Sequence, residues 1–442
     1  MKTRLVNIWE NVRNSFWFVP ILMIFLAIGL SFVLVALDRM IEPENLRVFD
    51  FLYGGGPEGA RSILSTIAGS MITVAGVTFS ITIVALALTS SQFGPRLLRN
   101  FMQDTSNQIV LGTFISTFIY CLLVLRSVNN IDGSVFVPGI AVTFAIILAV
   151  MNVGVLIYFI HHVSTSIQAD QVVAAVYDEL SEDIERLFPE ELGCKLAQDE
   201  ENMDSQEPTI DKYTYTYDIT ASKNGYLQSI DNDSLLKITE EHDFLVHISF
   251  RPGEFIVEES SLAVLRSKKA VEEDLTEQIA SYFIVGSQRS PEQDVEFRIH
   301  QLVEIALRAL STGINDPFTA IACIDRLGAA LCCLTKKAFP SPFRYSAEGT
   351  LRVISKPPTF KGILNTAFNQ IRQDGSTSVA VTIRLLETLK IIAGQARTSE
   401  QRQAIRQQAD MIVRTSQDTI KDKSDKNDIQ QCYRDCLNVL NG

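Results

Sequence analysis

Four stretches of this 442-residue chain contain no Asp, Glu, Lys or Arg: Phe16–Leu37, Ser62–Gln92, Thr105–Leu125 and Gly133–Ala169. About 20 apolar residues cross a hydrocarbon core as a helix, which satisfies every backbone N–H and C=O internally. Each stretch is long enough. The pattern predicts four transmembrane helices, at about residues 16–37, 62–92, 105–125 and 135–160, within a membrane domain of residues 1–167. The first is not read as a secretory signal, because its apolar run is too long and no A-x-A-like site precedes Asp38 and Arg39. Trp17, between Phe16 and Phe18, suits an interfacial aromatic belt.

Four crossings place both termini on one side of the bilayer. Lys2, Arg4, Arg13, Arg96 and Arg99 fall on that side and Arg39, Arg47, Arg61 and Arg126 on the other. The excess of basic residues predicts cytosolic termini. Residues 168–442 carry 30 basic and 43 acidic residues. That balance argues against nucleic acid or anionic lipid headgroups as partners of this part, since both need basic patches to neutralise phosphates. A cationic or small-molecule partner fits better. The seven cysteines, an odd number without CxxC spacing, read as reduced cytosolic thiols.

The second apolar stretch is unusual in its small and hydroxylated residues. Steps of four and three give Ser62, Thr66, Gly69, Thr73, Gly76, Ser80, Ile83, Ala87, Ser90 and Gly94, one continuous stripe along a helix. Such a stripe either lets another helix approach closely or, repeated around an axis in a homo-oligomer, lines a path for a small ion or solute. At about 1.5 Å per residue the stretch exceeds a roughly 30 Å core. Gly94 and Pro95 then offer a gate or hinge, followed by the amphipathic "RLLRNFMQD".

Charge-driven transport is disfavoured, because the uncharged stretches hold none of the acidic or basic groups that proton relays and ion coupling use. Asn152, Tyr120 and Cys121 are the remaining polar candidates, read as interhelical contacts. His161 and His162, where the fourth stretch ends, are read as interfacial anchors with pH sensing as the alternative.

Residues 168–212 read as a helical connector and charged linker, 213–266 as a small β-rich module, and 267–442 as a helical cytosolic domain. The module contains a Pro252-Gly253 turn; His242 and His247 lack a third metal-like ligand nearby. In "STGINDPFT", Ser290-Pro291-Glu292 upstream signals a helix start, Gly313 a stop, and Asp316-Pro317 a second N-cap. Ser311, Thr312, Asn315, Asp316 and Thr319 form a candidate ligand site at those helix ends, with capping as the alternative. No P-loop, GxSxG, HExxH or dinucleotide-binding motif is present, so no enzyme, catalytic residue, metal or cofactor is expected.

The stretches "VAGVTFSITIVALALTSSQFGPRLLRNFMQD" and "IALRALSTGINDPFTAIACIDRL" resemble a family of uncharacterised predicted bacterial inner-membrane proteins, a domain of unknown function, over nearly the whole chain. That resemblance implies a multi-pass protein of the bacterial cytoplasmic membrane and brings no reaction, substrate or catalytic residue. The expected fold class is a membrane α-helical protein with four transmembrane helices and a mostly α-helical cytosolic domain containing a small β-rich module. The expected function is a homo-oligomeric channel-like protein with a cytosolic regulatory domain. The alternative is a membrane-anchored sensor or assembly factor whose cytosolic domain binds a ligand or partner protein.

Overall fold

The computed structural model describes residues 17–40, 56–95, 104–131, 134–189 and 213–441. The readings placed on Lys2, Arg4, Arg13, Phe16, Arg47, Arg96 and Arg99, on the stretch 96–103 and on the charged linker before 213 lie outside the described residues. The chain divides into two compact units, Met1–Gln171 and Val172–Gly442.

In the first unit, α1 (Phe18–Met40), α2 (Pro57–Phe93), α3 (Thr105–Ser127) and α4 (Gly139–Ser166) are long and apolar enough to cross a membrane. Large apolar side chains such as Phe25, Phe32, Val150 and Ile157 stay exposed, as a lipid-facing surface requires. The helices overrun the uncharged stretches, so Asp38, Arg39, Glu58, Arg61 and Arg126 lie inside them, near their ends. Two of these charges close the ends of other helices. Pro138, the N-cap of α4, offers no side-chain acceptor, and the buried carboxylate of Asp38 takes its place, accepting from the Ile140 and Ala141 N–H groups at 2.9 and 3.0 Å. Arg61 donates to the Val128 carbonyl at 3.1 Å, just beyond α3. Between α3 and α4 lies a hairpin, β1 (Asn129–Ile131) with β2 (Ser134–Phe136).

The central helix is α3, with α1 and α2 packed mainly against it. Gly112 makes the α1 contact possible: a Cβ there would meet Met23 Sδ at 2.7 Å and Pro20 Cα at 3.1 Å. Two of the buried polar residues bond across helices. Tyr120 donates its hydroxyl to the Ala141 carbonyl at 2.9 Å, and Asn152 Nδ2 donates to Thr117 Oγ1 at 2.9 Å.

The second unit begins with the amphipathic α5 (Ala169–Leu187), which buries Val172, Val173, Val176, Leu180 and Ile184 at helical spacing. Two sheets follow. The five-stranded sheet runs β3 (Tyr215–Thr220), β7 (Ser261–Ser267), β5 (Leu245–Ile248), β10 (Leu351–Ile354), β9 (Phe343–Tyr345). The three-stranded sheet runs β6 (Phe255–Ile256), β4 (Gly225–Ile230), β8 (Phe283–Gly286). Helices α6 (Asn232–Glu241) and α7 (Glu273–Ala280) cover the core formed by Leu227, Leu235, Val246, Leu265, Ile279 and Val353.

Three of these strands come from beyond residue 266, where the sequence reads as helical. Strand β10 pairs in parallel with β5, Val353 against Val246. A parallel pairing between such distant segments leaves no local turn signal in the sequence. The rest of the unit is helical: α8 (Glu296–Leu310), α9 (Pro317–Leu334), α10 (Phe360–Asp374), α11 (Val379–Gln395), α12 (Ser399–Thr419) and α13 (Lys423–Asn441). Among them α9 is a fifth helix long and apolar enough to cross a membrane, so apolar length alone does not fix the number of spans at four. It buries Cys323, Ile324, Leu327 and Leu331 and packs on α8 and α11. Gly328 faces α11 so closely that a Cβ would lie 2.3 Å from Thr388 Cγ2.

Candidate functional site

The small-residue stripe occupies the outer face of α2. Ser62, Thr66, Gly69, Thr73, Gly76, Ser80 and Ala87 are all exposed, while the helix packs on its neighbours through Ala60, Leu64, Ala68, Met71, Ala75, Thr78 and Thr82. Among the described residues, no helix of the chain packs on this stripe. A Cβ at Gly69 or Gly76 would meet nothing within 4 Å. Thr66, Thr73 and Ser80 donate their hydroxyls to the carbonyls of Ser62, Gly69 and Gly76 at 2.7, 2.8 and 2.9 Å. With the protons committed to the helix, the hydroxyl oxygens present acceptor lone pairs outward. At the end of the helix Gly94 adopts φ 114° and donates its N–H to the Ser90 carbonyl at 3.2 Å, so the break sits where the Gly-Pro pair places it.

At one end of α4, His162 Nε2 lies 2.6 Å from Asp104 Oδ2. The same carboxylate caps α3, accepting from the Ser106 N–H at 2.9 Å and the Asn107 side chain at 3.1 Å. Tyr158 stacks on His162 and donates its hydroxyl to Ser106 Oγ at 3.2 Å. His162 is thereby a specific tie between α3 and α4. Its neighbour His161 is exposed.

The polar groups of "STGINDPFT" are largely used up by capping. Asp316 accepts from the Phe318 and Thr319 N–H groups at 3.1 and 3.2 Å and from the Thr319 hydroxyl at 2.6 Å. The Thr319 hydroxyl, foremost, and these backbone donors hold Asp316 below the usual carboxylate range. Ser311 donates to the Arg308 carbonyl at 2.6 Å, and Thr312 and Asn315 are exposed. Helix α8 ends at Leu310 and the left-handed residue of the turn is Asn315, φ 51°, rather than Gly313. The upstream helix start also moves, from Ser290-Pro291-Glu292 to Glu296. The reason is Asp294, which is buried against Arg289 at 2.6 Å and accepts the Glu296 N–H at 3.1 Å.

Sequence reasoning missed the cleft that this rearrangement builds in the second unit. It has a volume of about 710 Å³ and lies between the start of α8, the Arg251-Pro252-Gly253-Glu254 turn, β9 and the proline-rich segment after β10. Gly253, φ 93°, is obligatory in that turn, because a Cβ would lie 2.3 Å from Asp294 Oδ2. Arg251 meets Glu296 at 3.1 Å, which neutralises a buried carboxylate in the wall. A second lobe of about 940 Å³ adjoins through Pro340 and residues 355–358 and includes His247, Lys337 and Lys361. Its Lys337 is paired with Glu185 at 2.6 Å. The only sequence signal was the Pro-Gly turn; the other walls come from residues 188, 294, 344 and 356, far apart in the chain.

Among the described residues no group of three or more His, Cys, Asp or Glu side chains is placed to hold a metal ion, and six cysteines are free thiols. His242 stacks on Phe244 instead.

A family model described as predicted membrane protein (DUF2254) matches residues 13–391. Uncharacterized proteins of Mycobacterium bovis and Mycobacterium tuberculosis are 30% identical to this chain over 432 residues, covering 96% of it and 81% of their own length. No solved structure matches it. The chain belongs to the DUF2254 family of predicted membrane proteins.

Proposed function

We propose that this DUF2254 member is a non-enzymatic, homo-oligomeric permeation protein of the bacterial inner membrane. In this reading α1 to α4 cross the bilayer with both termini in the cytosol, and α9 belongs to the soluble unit, where its apolar face is already covered by α8 and α11. Copies meet through the outer face of α2 around a path for a small ion or solute, and the soluble unit regulates it. The observation that carries the reading is the exposure of the whole stripe from Ser62 to Ala87, with hydroxyl oxygens turned outward and room at Gly69 and Gly76. An uncharged surface of acceptors suits partial dehydration of a passing cation or neutral solute.

Reconstitution in a planar bilayer tests it, with Gly76→Phe as the control and Thr73→Cys and Ser80→Cys probed by water-soluble thiol reagents. The expected result is a conductance that Gly76→Phe abolishes without unfolding the protein, and reagent access at both cysteines. A silent bilayer under varied voltage, pH and tension, with both cysteines protected, would overturn it. A second reading, a membrane-anchored sensor, is favoured by the cleft in the soluble unit.

A further inference from the structure

The soluble unit is strongly acidic, yet its cleft gathers cations. The carboxylates in the walls of the first lobe are mostly neutralised: Asp294 is held by Arg289 and Glu296 by Arg251. The charges left without an ion pair are Arg344 on β9, Lys356 beside the prolines and the exposed Asp233, a balance of two cations to one carboxylate. Arg344 is half-buried, and its guanidinium has no hydrogen-bond or ion-pair partner among the described residues; Asp233, itself exposed, acts on it only through space. Burial pushes Arg344 below the ordinary arginine value.

A partly desolvated guanidinium with unused donors is costly in an empty site and gains most from an anion that supplies the missing acceptors. The walls around it are apolar and stiff: Phe188, Ile248, Phe250, Pro357 and Pro358. A cavity of this size, apolar with a few convergent polar groups, matches the general form of small-molecule sites.

We propose that this cleft binds a small organic anion, a phosphate ester or carboxylate, with its charge on Arg344 and Lys356 and its apolar body against Phe188, Phe250 and the prolines. This goes beyond the permeation reading and does not depend on it, because binding here involves residues of the soluble unit alone. The same chemistry is offered by a free solute or by an anionic lipid headgroup.

The test is isothermal titration of the full chain, held in phosphatidylcholine nanodiscs near neutral pH, with naphthyl phosphate, naphthol and inorganic phosphate as probes. Naphthyl phosphate is expected to bind saturably and at least about tenfold more tightly than either fragment. Arg344→Gln should weaken it about tenfold, Arg344→Lys should keep most of the affinity, and Lys356→Gln should weaken it about threefold. Lys356 is exposed, so its variant keeps the test valid if Arg344→Gln fails to fold. Equal affinity for naphthol, no saturable binding, or full affinity in both glutamine variants would overturn the proposal. Given binding, its loss when phosphatidylglycerol is added to the discs assigns the site to a lipid headgroup, and its persistence assigns it to a soluble anion. The titration reads binding only, so its failure is distinct from a silent bilayer.

Discussion

Glycines on helices of the two units do opposite things. In the second unit Gly328 of α9 lets α11 approach closely, with Thr388 Cγ2 occupying the space a Cβ would need. In the membrane unit a Cβ at Gly69 or Gly76 of α2 would meet nothing within 4 Å among the described residues, and the close approach is made at Gly112 on α3. Small residues in an apolar helix therefore do not by themselves say where its partner is. The apolar face of α9 is covered within the chain by α8 and α11; beside lipid tails a helix face loses little by staying open until a specific partner arrives.

The largest expected effect that would break this contrast is at Gly112. Gly112→Val should cost about 3 kcal/mol through overpacking against Pro20 and Met23, read as a lowered melting temperature in detergent. Gly76→Val should leave that melting temperature unchanged while altering the oligomer distribution in a sizing experiment. Equal destabilisation by both would mean that the α2 stripe packs within the chain after all.

Next is the tie between α1 and α4. Asp38→Ala strands the Ile140 and Ala141 N–H groups and should cost about 2 kcal/mol; Asp38→Asn, which keeps one acceptor, should cost less in the same denaturation series. In the soluble unit Gly328→Ala should cost about 1–2 kcal/mol. Adding Thr388→Ser, which removes the clashing methyl, should restore most of the loss, and a failure of that rescue would place the strain elsewhere.

A smaller effect concerns pH. Asp243, in the left-handed region at φ 53°, joins β5, β7 and β10 by accepting from Lys268 at 2.7 Å and Arg352 at 2.5 Å. The Lys268 and Arg352 hydrogen bonds hold its carboxyl below the usual range. A depressed folded-state value stabilises the fold above the unfolded value, and that contribution is lost as pH falls through the folded one. The side chain is 48% exposed, so the effect is no more than about 1 kcal/mol. Asp243→Asn should flatten the acid limb of a stability-against-pH curve by that amount. The smallest effect is the Asn152–Thr117 hydrogen bond, for which a double-mutant cycle with Asn152→Leu and Thr117→Val should give a coupling of about 0.6 kcal/mol.

Much of the membrane unit was legible in the sequence because its signals are local: long uncharged runs and a Gly-Pro stop; in the second unit the Asp316-Pro317 helix start was legible for the same reason. What escaped was non-local. Asp38 reads as a flanking charge until the N-terminus of α4, a hundred residues on, is seen to need it. His162 reads as an anchor until Asp104 is found beside it. The helix start expected at Ser290-Pro291-Glu292 is displaced because Asp294 is drawn into a buried pair with Arg289, a tertiary demand that overrides a local cap.

The sequence by itself determined that this chain has several helices fit for a bilayer, an acidic C-terminal part, and the family it belongs to, since these follow from composition and from contiguous pattern. The tertiary structure alone decided which face of α2 is open among the described residues, because small residues such as Ala68 and Ala75 also lie on its other side and only packing against α3 and α4 tells the faces apart. It also decided that Arg344, Lys356 and Phe188 share one cleft. Residues so distant in the chain meet only when strands β9 and β10 return to the sheet, and no local pattern encodes that return.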